Sequence, residues 1–172
     1  MAGLVHIYCG DGKGKTTAGI GLAVRAAGAG KNVIFTQFFK DGSSSEVKIL
    51  KTVPNIRIFH CPVHHGLFFR MNEEQKARAR EDYTELLEQV LEAAENADLR
   101  VMDEAISACN HGTIPEDRVA RFLEEKPENL EVVLTGRNPS QRLQNLADYI
   151  SEMRKIRHPF DAGIPARKGI EF

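Results

Sequence analysis

A glycine-rich segment near the amino terminus has the residue types needed to hold a phosphate group. Its residues are Gly10, Asp11, Gly12, Lys13, Gly14, Lys15, Thr16 and Thr17. Glycines permit the tight turns that aim several backbone N–H groups at one anion. Lys15 adds a cation that can reach the phosphates, and the hydroxyl of Thr16 is placed to bind Mg²⁺. The segment therefore predicts phosphate binding.

The segment departs from the usual Gly-x-x-x-x-Gly-Lys-Thr pattern at one position, because Cys9 stands where the first glycine normally lies. A dinucleotide-binding Gly-x-Gly-x-x-Gly loop is a competing interpretation. It fails because Lys15 occupies the place of its third glycine. A surface turn with solvated lysines is the simpler alternative, but it does not explain why this pattern falls between a buried strand and a helix.

Two adjacent acids, Asp103 and Glu104, follow the predicted buried strand 99–102. In phosphate-loop folds an acid at such a strand end faces the Mg²⁺ that accompanies the nucleotide. An acid pair that stabilises a helix amino terminus is the structural alternative. Together with the phosphate loop, the pair favours a magnesium site.

Two arginines have positions that leave their roles open. Arg137 follows the predicted buried strand 131–134, so we expect it at the same sheet edge, whereas Arg25 lies inside the first predicted helix. Each could contact phosphate or sugar, and each could equally be a surface arginine.

A second group of potential ligands comprises His60, Cys61, His64 and His65. Imidazole and thiolate bind zinc, but no second Cys/His pair follows at zinc-finger spacing. The sequence therefore favours a histidine-rich loop over a structural metal site.

Strand-like runs alternate with helical patterns along the chain, and this alternation is typical of a parallel sheet covered on both faces. A capping box at Asn72 and Gln75 predicts the start of a long helix. The fold class predicted is α/β, P-loop NTPase-like (RecA-like), as one domain over residues 1–172. The predicted strands are 4–8, 33–38, 56–59, 99–102, 131–134 and 149–153; the helices are 16–29, 72–96 and two that residues 113–116 and 138–141 cap; residues 41–45 are a loop.

Composition restricts the partners. The formal net charge of −1 lacks the basic excess typical of nucleic-acid-binding proteins. The apolar runs are too short for a membrane span, and residues 1–6 do not resemble a signal peptide. An odd number of cysteines (Cys9, Cys61 and Cys109) is typical of a reducing compartment. We therefore expect a cytoplasmic protein without nucleic-acid or membrane partners.

Several motifs together resemble the P-loop type of ATP:corrinoid adenosyltransferase. They occur in the family's order and span nearly the whole chain. The tail 158–172 is the most discriminating segment, and Cys9 fits because this family also lacks the first glycine. The matching segments are residues 10–17, 37–40 (Gln-Phe-Phe-Lys), 101–104 (Val-Met-Asp-Glu), 134–137 (Leu-Thr-Gly-Arg) and 152–172.

The resemblance implies a reaction in which Co(I) of a reduced corrinoid attacks the ribose C5′ of ATP and triphosphate leaves. The corrinoid supplies the nucleophile, so the protein needs none. Lys15 would stabilise the leaving group. Residues 10–17, Arg25 and Arg137 would bind ATP, and Thr16 and Glu104 would hold Mg²⁺ with Asp103 close by. A homodimer and a reductase that donates the electron are also implied.

A short stretch replaces the Gly-Phe-x-Trp sequence with which the family presses on the lower face of cobalt. It reads Gly66, Leu67, Phe68 and Phe69, so Leu67 replaces an aromatic residue and Phe69 replaces tryptophan. We expect Phe68 or Phe69 to approach the corrinoid.

Two alternatives belong to other classes. A generic P-loop ATPase or kinase would release orthophosphate or phosphorylate an acceptor, whereas an adenosyltransferase releases intact triphosphate. A non-catalytic nucleotide- or corrinoid-binding module would bind its ligands without turnover.

Overall fold

The computed structural model describes residues 2–63, 65–66, 68–93 and 97–171, with the side chain of Phe69 outside that description. The strands are β1 (Val5–Cys9), β2 (Val33–Gln37), β3 (Ile56–His60), β4 (Leu99–Asp103), β5 (Glu131–Thr135) and β6 (Tyr149–Glu152). The helices are α1 (Lys15–Gly28), α2 (Ser45–Leu50), α3 (Glu73–Glu92), α4 (Ala105–Asn110), α5 (Glu116–Glu125) and α6 (Gln141–Asn145). Short 3₁₀ helices span Phe68–Arg70 and Pro159–Ala162.

Among the described residues, the six strands form one sheet in the order β3-β2-β4-β5-β1-β6. Every pairing is parallel. The prediction of an α/β fold with a mostly parallel sheet is confirmed. Strand β5 lies between β1 and β4, so the phosphate loop after β1 and the acids after β4 lie on either side of one strand end.

Helices cover both faces of the sheet because neighbouring strand residues point to opposite sides. On one face Val33 and Phe35 pack with Ala23 of α1. On the other face Ile34 packs in the same cluster as Leu87 of α3. Fully burying an apolar side chain of this size contributes about 1.5–3 kcal/mol to the stability of the fold. Both clusters therefore stabilise the sheet whose strand ends form the site.

The predicted capping box is confirmed at the start of α3. The Asn72 side chain accepts a hydrogen bond from the Gln75 N–H, and the Gln75 side chain accepts one from the Asn72 N–H. The described helix runs to Glu92, and residues 94–96, which were predicted to continue it, lie outside the described part of the chain.

Two short helices were missed by the sequence analysis. The predicted loop 41–45 leads into α2, and α4 follows directly after Glu104. Each has six residues, too few for an apolar stripe of helical period to be recognised. The N-cap of α5, Pro115, lies within the predicted cap segment 113–116, and the Thr113 hydroxyl donates to the Ala108 carbonyl of α4.

Candidate active site

The chain turns sharply where four neighbouring strands end. Gly10 follows β1 with a φ of 105°, Phe39 follows β2 with 61°, Glu104 follows β4 with 61° and Gly136 follows β5 with 149°. A positive φ is uncommon for non-glycine residues and costs about 1–3 kcal/mol in sparsely populated regions, so such residues concentrate at functional sites. The carboxyl edge of the sheet is therefore the candidate site.

The phosphate loop is braced by the segment that follows β6. The Gly12 N–H donates to the Met153 carbonyl oxygen at 2.6 Å. A Cβ atom on Gly10 or Gly12 would lie 2.5 or 2.6 Å from the same oxygen, so both positions require glycine. The Gly12 amide is thus engaged by the protein, and the other amides of the loop remain to form the predicted anion site.

Lys15 begins α1 and is 8% exposed. Its Nζ donates to the carbonyl oxygens of Gly10 at 2.7 Å and Gly12 at 2.8 Å. Burial lowers the pKa of Lys15 below its ordinary value and the nearby Arg137 lowers it further, while neighbouring carboxylates act in the opposite direction. This buried ammonium group forms its described hydrogen bonds with main-chain oxygens, so an anion in the loop would supply the opposite charge.

The amino terminus of α1 adds to the anion site. Its N-cap is Gly14, and no side chain caps the helix. The first N–H groups of a helix have no partner within the helix, and the helix dipole favours an anion there. The loop therefore brings a helix terminus and Lys15 to one place.

Asp103 joins the phosphate loop to β5. It is fully buried, and its Oδ1 accepts hydrogen bonds from the Thr16 hydroxyl at 2.8 Å and the Thr135 hydroxyl at 2.7 Å. The predicted proximity of the acid pair to Thr16 is thus observed for Asp103. Thr135 was not predicted as a site residue, although it stands in a motif that the sequence analysis singled out.

Glu104 occupies the left-handed region and starts α4. Its N–H donates to the Thr135 hydroxyl at 2.9 Å. Thr135 thus contacts both consecutive acids, one through its proton and the other through its oxygen. Glu104 lines the same cleft as Lys15 and Thr16.

A second set of charges enters the site from β2 and α2. The Lys40 Nζ lies 3.5 Å from both Asp103 Oδ2 and Glu46 Oε1. The Glu46 Oε1 also accepts a hydrogen bond from Gln37 at 2.9 Å. Sequence reasoning missed Glu46 because it lies in α2, which no periodic pattern signalled.

The site opens into a cleft of about 620 Å³. The carboxyl-terminal tail forms part of its wall, and Glu171 lies 3.2 Å from Lys13 Nζ. Hydrogen bonds from Arg167 lower the pKa of Glu171 to about 2. The tail therefore places a charged carboxylate beside the loop, where an incoming phosphate would compete for Lys13.

Most of the predicted nucleotide residues line this cleft, but Gly10 and Arg25 do not. The predicted residues that line the cleft are Asp11, Gly12, Lys13, Gly14, Lys15, Thr16, Thr17, Glu104 and Arg137. Arg25 is exposed in the last turn of α1, about 15 Å along the helix from Lys15 by the helical rise. Its contact with nucleotide stays a prediction.

Of the residues predicted to meet a corrinoid, Phe68 has a described side chain. Its ring centroid lies 6.0 Å from that of His111, and the Arg80 guanidinium lies 5.6 Å from its centre. His111 also meets Phe39, which follows β2. Leu67 and the side chain of Phe69 lie outside the described residues.

The sequence is similar to one enzyme family over its whole length. A profile of the family described as ATP:corrinoid adenosyltransferase BtuR/CobO/CobP matches residues 1–172. The corrinoid adenosyltransferase of Escherichia coli K12 is 32% identical over 99% of this chain and 86% of its own length. That of Salmonella typhimurium is 33% identical, with the same coverage. A corrinoid adenosyltransferase of Sinorhizobium sp. is 34% identical over 99% of this chain and 80% of its own length.

A solved structure shares the fold at low sequence identity. It is EssC (ATPases 2 and 3) from Geobacillus thermodenitrificans, with a TM-score of 0.51 and 12% identity. The match covers 97% of this chain but only 35% of that one. This likeness supports the P-loop NTPase-like fold.

Proposed function

The chain belongs to the ATP:corrinoid adenosyltransferase family, and we propose that the cleft is where it transfers the 5′-deoxyadenosyl group of ATP to Co(I) of a corrinoid. The observation that carries this proposal is the pairing of two features across β5. Lys15 is buried in the phosphate loop with main-chain partners, and Asp103 is hydrogen-bonded to Thr16 of the same loop. The loop after β1 offers positive charge for phosphate, and the acids after β4 offer oxygen ligands for the cation that accompanies it.

The triphosphate of ATP would lie along residues 10–17. The start of α1 and Lys15 would face its oxygens, and Arg137, which also lines the cleft, would add charge. Triphosphate is the leaving group, so cations placed around it act where negative charge develops in the transition state. Lys15 thus has the role of stabilising the leaving group, and it does not act as a base or a nucleophile.

The oxygen donors near Lys15 fit Mg²⁺. Thr16 supplies a hydroxyl, and Asp103 and Glu104 supply carboxylates, which are the hard ligands that this ion prefers. Asp103 is held by two hydroxyl groups, as a ligand or an outer partner of a bound cation must be. Bound Mg²⁺ would neutralise charge on the triphosphate. Thr16 and Glu104 are our proposed ligands, with Asp103 orienting Thr16.

The corrinoid is the second substrate, and its reduced cobalt is the nucleophile. A cobalt–carbon bond forms at C5′ while the bond from C5′ to the triphosphate oxygen breaks, and both electrons of the new bond come from Co(I). The protein's task is to align the two substrates and exclude water. Neither bond involves a protein atom.

We assign the corrinoid surface to Leu67, Phe68 and Phe69. The support is the packing of Phe68 on His111, which in turn meets Phe39, one residue before Lys40 of the cleft. An F68A variant should slow adenosylation of the corrinoid while nucleotide binding persists. Wild-type rates in both F68A and F69A would exclude this surface.

The remaining parts of the proposal come from the family resemblance, which implies the homodimer and the reductase, and from length, charge and composition, which indicate the rest. They are a single catalytic domain, a homodimer, a reductase as electron donor, and a cytoplasmic location without nucleic-acid or membrane partners. No helix in the described ranges is both long enough and apolar enough to cross a bilayer.

The test is a single-turnover reaction under anaerobic conditions with Mg–ATP and chemically reduced cob(I)alamin. We expect a photolabile alkylcorrinoid and one triphosphate for each product molecule. The K15M variant should lose at least about 100-fold in rate, as removal of one charge-stabilising donor does in other enzymes. K31M, which removes an exposed lysine beyond α1, is the matched control and should keep the rate.

Two outcomes would reject the proposal. One is the absence of alkylation with cobalamin, cobinamide and cobyrinic acid diamide alike. The other is release of orthophosphate in place of triphosphate, which would favour a P-loop ATPase. Binding of both ligands without turnover would instead favour a non-catalytic module.

A further inference from the structure

A cluster of three side chains lies apart from the cleft, between the loop after β3 and helix α3. We propose that Cys61, His65 and Asp82 bind a divalent transition-metal ion of the zinc class. This inference is independent of the adenosyltransferase proposal. It concerns a site that fixes the histidine-rich loop to α3.

The three residues offer ligand atoms at metal-binding separations. The Cys61 Sγ, a ring nitrogen of His65 and a carboxylate oxygen of Asp82 all lie within 4.8 Å of one another. Tetrahedral zinc, with bonds of about 2.0–2.3 Å, brings its ligand atoms to about 3–4 Å from each other. Small side-chain rotations are therefore enough to close the site. In the described part of the chain, no other group of three such residues meets this separation.

The imidazole of His65 points to a missing partner. Its side chain is nine-tenths buried, and its Nε2 lies 2.7 Å from Asp82 Oδ2. The two atoms are close, but their angle is not that of a hydrogen bond, and the buried Nε2 has no hydrogen-bond partner. Buried polar atoms are almost always satisfied. A metal ion bound by this nitrogen and this carboxylate, once small rotations separate the two atoms to about 3 Å, would satisfy both groups at once.

The ligand set selects the type of metal. Sulfur, imidazole and carboxylate together suit zinc and similar ions, whereas Mg²⁺ and Ca²⁺ take oxygen ligands. A bound metal would displace the thiol proton of Cys61 and take the thiolate.

The surroundings leave room for a fourth ligand. A cavity of about 310 Å³ adjoins the cluster and is lined by Asp82, Glu85, His60 and Pro62 among others. Glu85 adds negative charge, which favours a cation. His60 is unsuited as the fourth ligand, because its Nε2 points at Gly42, whose added Cβ would lie 2.4 Å away. Water or Glu85 would complete a four-coordinate site.

A metal at this position would cross-link the loop after β3 to helix α3. Cys61 and His65 lie on the loop that leads to Phe68, and Asp82 lies in the middle of α3. The His65 ring also packs on Tyr83 of α3, at 5.5 Å between centroids. The metal would therefore fix where the loop begins and so limit the positions open to Phe68.

The experiment measures metal binding by untagged protein that has been stripped with a chelator and contains no corrinoid. Zinc is titrated against a chromophoric chelator, and Co²⁺ serves as the spectroscopic probe. We expect one zinc per chain and, with Co²⁺, a thiolate-to-metal charge-transfer band together with the visible bands of a tetrahedral site. The C61S variant should lose the charge-transfer band.

Matched variants separate a ligand role from a structural one. C61S, H65A and D82N should each weaken zinc binding at least about tenfold, because even partners outside the ligand shell contribute 10–100-fold. H60N and C109S, which alter a neighbouring histidine and a cysteine elsewhere, should bind like the wild type. Asp82 is partly exposed, so D82N remains informative if the buried variants do not fold. Binding below one zinc per chain, no thiolate band, or equal loss in H60N and D82N would overturn the proposal.

Discussion

The proposed cation site depends on the hydroxyl group of Thr135, which contacts both Asp103 and Glu104. It donates to Asp103 Oδ1 at 2.7 Å and accepts from the Glu104 N–H at 2.9 Å. Valine has nearly the same shape and lacks the hydroxyl, so T135V removes both bonds at once. A hydrogen bond to a charged group contributes about 1.5–3 kcal/mol, and leaving a buried partner unsatisfied costs about 1–3 kcal/mol.

From these values we expect T135V to lower the free energy of unfolding by about 3 kcal/mol. For a chain of this size that is a fall in Tm of roughly 6–12 °C. Urea denaturation followed by circular dichroism measures the first quantity, and calorimetry measures the second. We also expect a higher Mg²⁺ concentration at half-maximal adenosylation, because Asp103 loses one of the two hydroxyl groups that orient it.

T135S is the control, since it keeps the hydroxyl and loses one methyl group. Its stability should fall by only about 1 kcal/mol, and its Mg²⁺ dependence should match that of the wild type. The reasoning is refuted if T135V unfolds within about 0.5 kcal/mol of the wild type, the usual range for surface changes. It is equally refuted if T135S and T135V shift the Mg²⁺ dependence alike.

Three further predictions concern the phosphate loop. K15M should lose the stabilisation that ATP gives the wild type, about 2.7 kcal/mol at 100 times the Kd, and an equal ATP-dependent rise in Tm in both proteins would contradict this. Burial lowers the pKa of Lys15 below its ordinary 10.5, so the unfolded chain holds this proton to a higher pH than the folded protein does. The free energy of unfolding of the wild type, relative to that of K15M, should therefore rise with pH up to about 10.5 and level off above it. G12A should abolish ATP binding, because its Cβ would lie 2.6 Å from a main-chain oxygen. G21A is the control: nothing lies within 4 Å of its Cβ, and its free energy of unfolding should rise by about 0.5–1 kcal/mol. Normal ATP binding by G12A in an equilibrium titration would show that the loop rearranges freely.

Local patterns were sufficient for the elements that carry the phosphate loop. Residues 10–17 predicted a phosphate site because their types and spacing determine backbone turns and charge within one short segment. The capping box at Asn72 and Gln75 was confirmed because both partners lie within one helical turn. The alternation of strands and helices gave the parallel sheet, since a right-handed connection between parallel strands needs a helix.

Contacts between distant residues were decided by the tertiary structure. Asp82 joins Cys61 and His65 only because α3 packs beside the end of β3, so the linear spacing of cysteine and histidine predicted no metal site. Glu46 reaches Lys40 through a helix too short to show a period.

The sequence by itself predicted a phosphate loop, an acid pair at a strand end and a parallel sheet, because each of these patterns depends on residues close to one another in the chain. The tertiary structure decided the strand order, and that order places Thr135 between the loop after β1 and the acids after β4. It also decided that the tail wraps back, so that Met153 braces Gly12 and Glu171 meets Lys13. Those pairings depend on the summed packing of the whole sheet and its helices, and no local segment carries that information.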